Sequence, residues 1–242
     1  MAAVVQPLVE SIAAEADPEV AATLARFFQV RPGGYGEGDV FVGLKLSRLR
    51  VLARPYTRTP VDPADWLPLL HSPVHEHRLA CLVIWSERAE RGETAERAAI
   101  AELYLANTDR VNNWDLVDAS AGPIVGGRIL DPDGDHALLD RLARSALLWD
   151  RRIAMVATHQ LIRAGVTADT YRIAELLLDD NHDLIHKAVG WMMREAGKRV
   201  DEAELLAFLD RWAGRMPRTA LRYAIERLDP DTRRHYLGQR AG

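Results

Sequence analysis

Three successive apolar-rich segments decide the fold, and together residues 151–199 read RRIAMVATHQLIRAGVTADTYRIAELLLDDNHDLIHKAVGWMMREAGKR. In 151–165, 168–180 and 182–199 the apolar residues recur at intervals of three and four, which is the periodicity of amphipathic α-helices. Gly165 is the last residue of the first segment, where glycine favours a helix end. The stretch therefore predicts helices that follow one another through short turns.

The same periodicity continues through most of the chain. Further helices are predicted over residues 20–28, 63–71, 77–90, 94–107, 136–146, 203–214 and 217–228. Strand-like alternation is confined to DVFVGLKL (39–46), which is too short to build a sheet. No long linker rich in proline, glycine or serine divides the chain. We therefore predict a single all-α domain over residues 1–242.

Five of the predicted helical segments resemble one another: HRLACLVI (77–84), NWDLVDAS (113–120), RRIAMVAT (151–158), HKAVGWMM (186–193) and LRYAIERL (221–228). Their corresponding polar residues are Arg78, Asp115, Arg152, Lys187 and Arg222, at steps of 37, 37, 35 and 35 residues. A helical pair that recurs at this period is typical of an α-solenoid. The pattern predicts a curved stack of HEAT-like repeats, and because four of the five positions are basic, it predicts a concave basic groove.

The distribution of charge supports such a groove better than the total does. The 242 residues carry a net charge of −4, which argues against a polyanionic partner. Residues 1–140, however, contain 13 Lys/Arg and 21 Asp/Glu, whereas residues 141–242 contain 18 and 14. An acidic first part and a basic second part are compatible with a polyanion that binds the second part.

The single cysteine and the N-terminal sequence bear on location. Cys81 cannot form an internal disulfide, which favours a reducing compartment. The first twenty residues lack a basic region and a continuous apolar core, and no other stretch approaches 18 uninterrupted apolar residues. We expect a cytoplasmic protein that does not associate with membranes.

The most unusual segment is VNNWDLVDASAGPIVGG (111–127). Asn112 or Asn113 is a suitable N-cap, and Trp114 and Asp118 then lie one turn apart on one helical face. An exposed indole beside a carboxylate indicates a functional site. The alternative is that Trp114 packs in the core while Asp118 caps or pairs locally.

Two basic segments are the other candidates. Arg151 and Arg152 begin a helix, where cations oppose the helix dipole, so they predict either phosphate binding or an ion pair with Asp150 or a neighbouring repeat. The helix over 182–199 carries a stripe formed by Lys187, Trp191, Arg194 and Lys198. Gly190, next to the indole, leaves room for a close approach to the backbone.

No metal or cofactor is expected. His75 and His77 are only two residues apart and cannot share a helical face, so they do not form a zinc helix. His182 and His186 are four apart but lack a third ligand.

With these segments in view, the sequence resembles the AlkD family of HEAT-like-repeat alkylpurine DNA glycosylases. The likeness covers nearly the whole chain, through the segments 39–53, 72–82, 112–121, 148–158, 182–198 and 216–228. The family's essential aspartate resembles Asp118, its groove tryptophans resemble Trp114 and Trp191, and its groove arginine resembles Arg152. One departure is Asn113, where relatives often carry an aromatic residue.

The resemblance implies a monofunctional enzyme that removes N3- and N7-alkylpurines, such as 3-methyladenine and 7-methylguanine, from double-stranded DNA as a monomer. It implies Asp118, Trp114, Trp191 and Arg152 as catalytic residues. The residues expected to contact DNA are Arg151, Lys187, Arg194, Lys198, Arg218 and Arg222. The alternative from a different class is a HEAT-like scaffold that binds DNA structures or a protein partner without catalysis.

Overall fold

The computed structural model describes residues 4–239, and this part of the chain is built of helices. In chain order the α-helices are α1 (Gln6–Ala14), α2 (Pro18–Phe27), α3 (Leu46–Ala53), α4 (Leu67–Leu70), α5 (His75–Arg91), α6 (Thr94–Leu105), α7 (Trp114–Ala121), α8 (Gly127–Ile129), α9 (Ala137–Ala143), α10 (Leu148–Arg163), α11 (Ala168–Leu176), α12 (Asp183–Arg199), α13 (Glu202–Trp212), α14 (Arg218–Ala224) and α15 (Pro230–Gly238). Short 3₁₀ helices span Arg54–Arg58, Pro63–Trp66 and Thr108–Arg110, and Gly122–Gly126 forms a π-helical turn. None of these helices is both long and apolar enough to cross a bilayer.

The all-α prediction is confirmed, although some helix ends differ from the predicted ones and a few helices were not predicted. Each segment predicted from periodicity contains a helix, although the last of them is shorter than predicted and ends at Ala224. The sequence pattern missed α1, α3, the short α8 and α15. Over residues 39–46, no strand forms: the segment pairs only through one isolated parallel bridge between Val40 and Val74, and α3 begins at Leu46.

The chain divides into two compact units, Met1–Ile124 and Val125–Gly242, with the boundary inside the π-helical turn. The single domain over residues 1–242 stays a prediction. The first unit contains 12 Lys/Arg and 17 Asp/Glu, and the second contains 19 and 18. The second unit is therefore nearly neutral, because Arg128 and four nearby aspartates belong to it.

The first unit is organised around α5, which packs against α1, α3, α4, α6 and α7. Most of α5 is buried, including Leu82 and Trp85, so this helix forms the centre of the unit's core. The indole nitrogen of Trp85 donates a hydrogen bond to the carbonyl of Pro63 at 3.0 Å, which satisfies the one polar atom of that buried ring.

A buried carboxylate fixes the extended segment that precedes α3. Glu76, which is 1% exposed, accepts hydrogen bonds from the backbone N–H groups of Val42, Gly43 and Leu44 at 2.9–3.1 Å. Gly43 has φ +93°, and a Cβ there would lie 2.0 Å from the carbonyl oxygen of Asp17. The carboxylate of Glu76 thus holds Val42 to Leu44, and the backbone bridge to Val74 holds Val40.

The second unit is built on α10, α12 and α14, with α12 packed against both of the others. These three helices carry the repeated segments of the second half of the sequence, and α5 and α7 carry those of the first half. Glycines permit the close packing. A Cβ on Gly126 would lie 2.2 Å from the carbonyl oxygen of Ala157, and a Cβ on Gly190 would lie 2.3 Å from that of Ala220.

Polar contacts within the second unit join residues about one repeat apart in sequence. His136 contacts Asp169 at 2.7 Å, and the hydroxyl of Thr167 donates to Glu204 at 2.5 Å. These partners are 33 and 37 residues apart. Side chains at equivalent places in consecutive helical pairs therefore meet, as expected of helical repeats.

Replacing Gly190 by alanine is expected to destabilise the protein by about 1–3 kcal/mol, the usual cost of inserting a methyl group where there is no room. The new Cβ would meet the Ala220 carbonyl and the Cβ of Tyr223 at 2.5 Å, so α14 has to move away from α12. Urea unfolding measures the change. Gly238→Ala is the matched control, since nothing lies within 4 Å of the Cβ there. Equal stability of the two variants would contradict this account of the packing.

Candidate nucleic-acid site

The predicted pair of Trp114 and Asp118 lies on α7, whose start is defined by an N-cap. The side-chain oxygen of Asn113 accepts a hydrogen bond from the backbone N–H of Trp114 at 2.8 Å, and Asn113 itself is fully buried. Of the two candidates, Asn112 and Asn113, it is therefore Asn113 that caps the helix. Trp114 and Asp118 are both half-buried, and their spacing places them on one face of the helix.

The indole of Trp114 is part of a row of stacked rings. It stacks on Phe28 at a centroid distance of 5.1 Å, Phe28 stacks on Phe41 at 5.1 Å, and Phe41 stacks on the imidazole of His75 at 4.4 Å. The interplanar angles are 18°, 19° and 24°. We call these four residues the aromatic stack. Phe27, 61% exposed, contacts Trp114 edge to face. Trp114 is therefore supported by other rings but not fully buried.

A buried network of charged side chains lies at the start of α7. The Nε2 atom of His75 lies 2.8 Å from Asp115, and its Nδ1 atom lies 2.9 Å from Asp39. Asp39 also accepts hydrogen bonds from the guanidinium of Arg78 and, at 3.1 Å, from the amide of Asn113. We call these five residues the His75 network. It joins the segment before α3, the start of α5 and the start of α7.

The electrostatics of the network favour a charged histidine. Burial alone lowers the pKa of His75, but hydrogen bonds to Asp115 and Asp39 and the charges of those carboxylates outweigh it and raise the pKa to about 9. Burial raises the pKa of Asp39, yet the hydrogen bond from His75 and the positive charge of Arg78 lower it overall. Carboxylates and cations thus alternate from Asp115 to Arg78, and each buried charge has an opposite neighbour.

Sequence reasoning missed this network. It considered His75 only together with His77 as a metal pair, and it considered Asp39 only as part of the strand-like segment. One signal was present: His75 is 36 residues from Asp39 and 40 residues from Asp115, close to the repeat period. Polar residues spaced by one repeat come together when consecutive helical pairs stack.

In the second unit the Arg151–Arg152 pair is engaged by protein atoms. Arg151 donates from Nε to Asp180 at 2.6 Å and from Nη1 to the carbonyl of Ser145 at 3.1 Å. Arg152 is 4% exposed and donates to the carbonyl of Leu184 at 2.5 Å. Arg151 thus forms the ion pair with a neighbouring repeat that was the alternative to phosphate binding.

The residues of the predicted stripe on α12 differ in their surroundings: two of the three basic residues pair with carboxylates, and one is exposed. Trp191 is half-buried, with its ring 6.1 Å from that of His159. Lys187 pairs with Asp183 at 2.7 Å, Arg194 pairs with Glu226, and Lys198 is exposed. The close approach at Gly190 is made by α14 and not by a ligand.

The remaining predicted DNA contacts lie on α14. Arg218 is exposed and donates to the carbonyl of Leu237 at 3.0 Å, and Arg222 is exposed. The expectation that all the basic repeat positions line an open groove is wrong for Arg78 and Arg152. Both guanidinium groups are buried and donate hydrogen bonds to protein acceptors.

The site residues therefore belong to two sets. Trp114 and Asp118 are in the first unit, with the aromatic stack and the His75 network beside them. Arg152 and Trp191 are in the second unit. The second unit also holds the predicted DNA contacts Arg151, Lys187, Arg194, Lys198, Arg218 and Arg222.

Comparison with known proteins gives a consistent result. The profile of a family described as "DNA alkylation repair enzyme" matches residues 8–228. No curated protein matches the chain in sequence. Among solved structures, a "Predicted DNA alkylation repair enzyme from Enterococcus faecalis" superposes with a TM-score of 0.67 at 15% identity, covering 89% of this chain and 97% of that one. At this identity the likeness concerns the fold, and it agrees with the predicted solenoid of helical repeats.

Proposed function

Because the chain belongs to the family of DNA alkylation repair enzymes, we propose that it is a DNA glycosylase that hydrolyses the N-glycosidic bond of N3- and N7-alkylated purines in duplex DNA. Family membership itself gives the chain a role in DNA alkylation repair, with DNA as its partner. The reaction, the alkylpurine substrates and the residues that follow are the proposal.

The observation that carries the proposal is the pair formed by Trp114 and Asp118 on α7. Both side chains are half-buried, so each has a supporting environment and an accessible part. Phe28 supports the ring of Trp114, and the side chain of Asn113 fixes the backbone at the start of the helix. A carboxylate and an aromatic face held on a rigid element suit the binding of a positively charged reacting group.

The chemistry of the substrate limits what the enzyme has to supply. An N3- or N7-alkylated purine carries a positive charge, so when the bond between C1′ and the purine nitrogen breaks, both electrons neutralise the leaving base. The sugar becomes cationic at the same time, and a negative charge close to C1′ stabilises that transition state. We assign this role to Asp118. Water then bonds to C1′, and its proton passes to the same carboxylate.

The tryptophans and the basic residues have further proposed roles. The face of Trp114 would hold the sugar and attract its developing positive charge, and Trp191 is proposed as an aromatic contact to the DNA in the second unit. Arg152 would hold a flanking phosphate, in which case the DNA takes over the hydrogen bond now made to Leu184. The other phosphate contacts are proposed for Arg151, Lys187, Arg194, Lys198, Arg218 and Arg222.

Replacing Arg222 by alanine is expected to weaken binding to undamaged duplex DNA and to lower the slope of log K against log salt concentration by about 1, the effect of losing one phosphate contact. Fluorescence anisotropy at several salt concentrations measures both quantities. Arg233→Ala is the matched control, because Arg233 is also exposed and lies in the same unit. Identical slopes for the two variants would count against Arg222 as a phosphate contact.

The test of the proposed function is release of free base from methylated duplex DNA by the purified protein. We expect 7-methylguanine or 3-methyladenine in the supernatant, at a rate that depends on protein concentration. Tight duplex binding without any base release would reject the glycosylase and favour a DNA-binding scaffold. Absence of both activities would favour a protein partner.

A further inference from the structure

We propose that His75 is the positioning residue of this site: by bridging Asp39 and Asp115 and by ending the aromatic stack, it fixes Trp114 and, through α7, Asp118. The catalytic part of this proposal rests on the proposed function. The structural part, that His75 determines the position of the Trp114 indole, does not depend on the proposed function.

Two separate routes connect His75 to Trp114. The first runs through the backbone, because His75 holds the carboxylate of Asp115, the residue that follows Trp114 at the start of α7. The other oxygen of Asp115 accepts from the N–H of Leu116 at 2.9 Å, which ties that carboxylate to the first turn. The second route runs through the rings, because Phe41 and Phe28 lie stacked between the imidazole and the indole.

The other side of His75 is hydrogen-bonded to a buried part of the first unit. Asp39, its second partner, is 6% exposed and is also held by Arg78 and Asn113. The segment that carries Asp39 and Phe41 is fixed in turn by Glu76 through three backbone N–H groups. His75 thus lies between a fixed anchor and the start of the helix that carries the reactive carboxylate.

The bridge requires both ring nitrogens of His75 to donate. An imidazolium has two N–H groups, whereas a neutral imidazole has one, so loss of the proton breaks the bond to one carboxylate. The charged groups that face the ring are Asp39 from the preceding segment and Asp115 from α7, with Arg78 acting on it through Asp39. On α5 itself, Glu76 faces the backbone of Val42 to Leu44, and His77 contacts Ser72.

The direction of the pH effect follows from this geometry. The pKa of His75 is raised to about 9, so the cation and both of its hydrogen bonds are present at neutral pH. As the pH rises through about 9, the proton is lost and Asp115 or Asp39 loses its partner. The indole of Trp114 should then change its position or orientation, because both routes begin at His75.

Fluorine NMR of protein labelled with 5-fluorotryptophan tests the structural part without any substrate. Trp114→Phe assigns the Trp114 resonance among the six tryptophans. We expect this resonance to shift with a midpoint near pH 9, and we expect His75→Gln to abolish that titration. His77→Gln, the same change two residues away on α5, should retain it. A Trp114 resonance that does not move through this pH range in the wild type overturns the proposal.

Single-turnover excision tests the catalytic part. His75→Gln and Asp115→Asn should each lower the rate by about 10- to 100-fold, the effect of misplacing a reactive group by a fraction of an ångström to an ångström, with duplex affinity retained. His77→Gln should react as the wild type does. Full rates in both variants overturn the catalytic part of the proposal.

The two measurements also separate this proposal from the proposed function. If the wild type releases no base, the glycosylase assignment fails, and the fluorine titration still decides the role of His75. If His75→Gln does not fold, Asp115→Asn and the titration of the wild type remain, since the side chain of Asp115 is 14% exposed and lies at a helix start.

Discussion

Asp118→Asn is expected to lower the single-turnover rate of 7-methylguanine release by at least about 100-fold while duplex affinity stays the same. Asparagine has nearly the same shape but carries no negative charge, so it neither stabilises the cationic sugar nor takes a proton from water. Removal of one preorganised electrostatic group from an active site commonly costs about 10²- to 10³-fold in rate. Quantification of released base by mass spectrometry, with anisotropy for binding, measures both effects.

The matched control for this variant is Asp109→Asn. Asp109 is exposed and lies in the 3₁₀ helix Thr108–Arg110 just before α7, so the change in net charge is the same. It should leave the rate unaltered. Equal rates for Asp118→Asn and the wild type would remove Asp118 from the proposed chemistry.

Asp115, the other carboxylate of α7, is a poorer candidate for that chemistry. One of its oxygens accepts a hydrogen bond from His75 and the other accepts from the backbone of Leu116. The positive charge of His75 offsets its negative charge, because the two groups are 2.8 Å apart. Asp115 therefore suits a structural role at the helix start, where a negative charge is favourable.

Glu76→Ala is expected to have the largest effect on stability, a loss of several kcal/mol in the free energy of unfolding. It leaves the N–H groups of Val42, Gly43 and Leu44 without this acceptor, and a buried group in that state costs about 1–3 kcal/mol. The segment that carries Asp39 and Phe41 should become more mobile, and the indole of Trp114 should become more mobile with it. Denaturant unfolding and the fluorine spectrum measure the two consequences.

Two further variants define the cause of that loss. Glu76→Gln retains an acceptor oxygen of nearly the same shape, so it should cost less than alanine. Glu102→Ala removes an exposed glutamate from α6 in the same unit, and it should change stability little. If Glu76→Ala and Glu102→Ala had equal stability, the carboxylate would not be what holds the segment.

The helices could be predicted because their periodicity follows from burial. Most apolar residues of α10 and α12 are buried, as at Ile153, Val156 and Met192. The extended segment before α3 was not predictable in this way. Its conformation depends on Glu76, some thirty residues away, and the local alternation of DVFVGLKL is the same as that of a strand.

The distribution of charged residues predicted the exposed basic surface less well than the apolar periodicity predicted the helices. The balance of +4 over residues 141–242 becomes +1 for the unit Val125–Gly242, so the contrast depends on where the sequence is divided. Formal charge also says nothing of exposure. Arg78 and Arg152 count as two cations, but both are buried and bonded within the protein.

The candidate site was predictable only in part. The spacing of Trp114 and Asp118 and the cap at Asn113 are local features of one helix, and sequence can show them. The His75 network joins three segments that are 36 residues or more apart, and the aromatic stack adds Phe28 from the end of α2, so both exist only after the helical pairs have stacked. These contacts determine how rigidly the predicted pair is held.

The most direct test of the central claim is a comparison of the two products of one incubation with duplex DNA methylated at guanine N7. Hydrolysis by a monofunctional glycosylase predicts free 7-methylguanine and new abasic sites in equal amounts, with the methyl group still on the released base. Loss of the methyl group from DNA that keeps its guanine, or unchanged DNA after binding, would contradict the account.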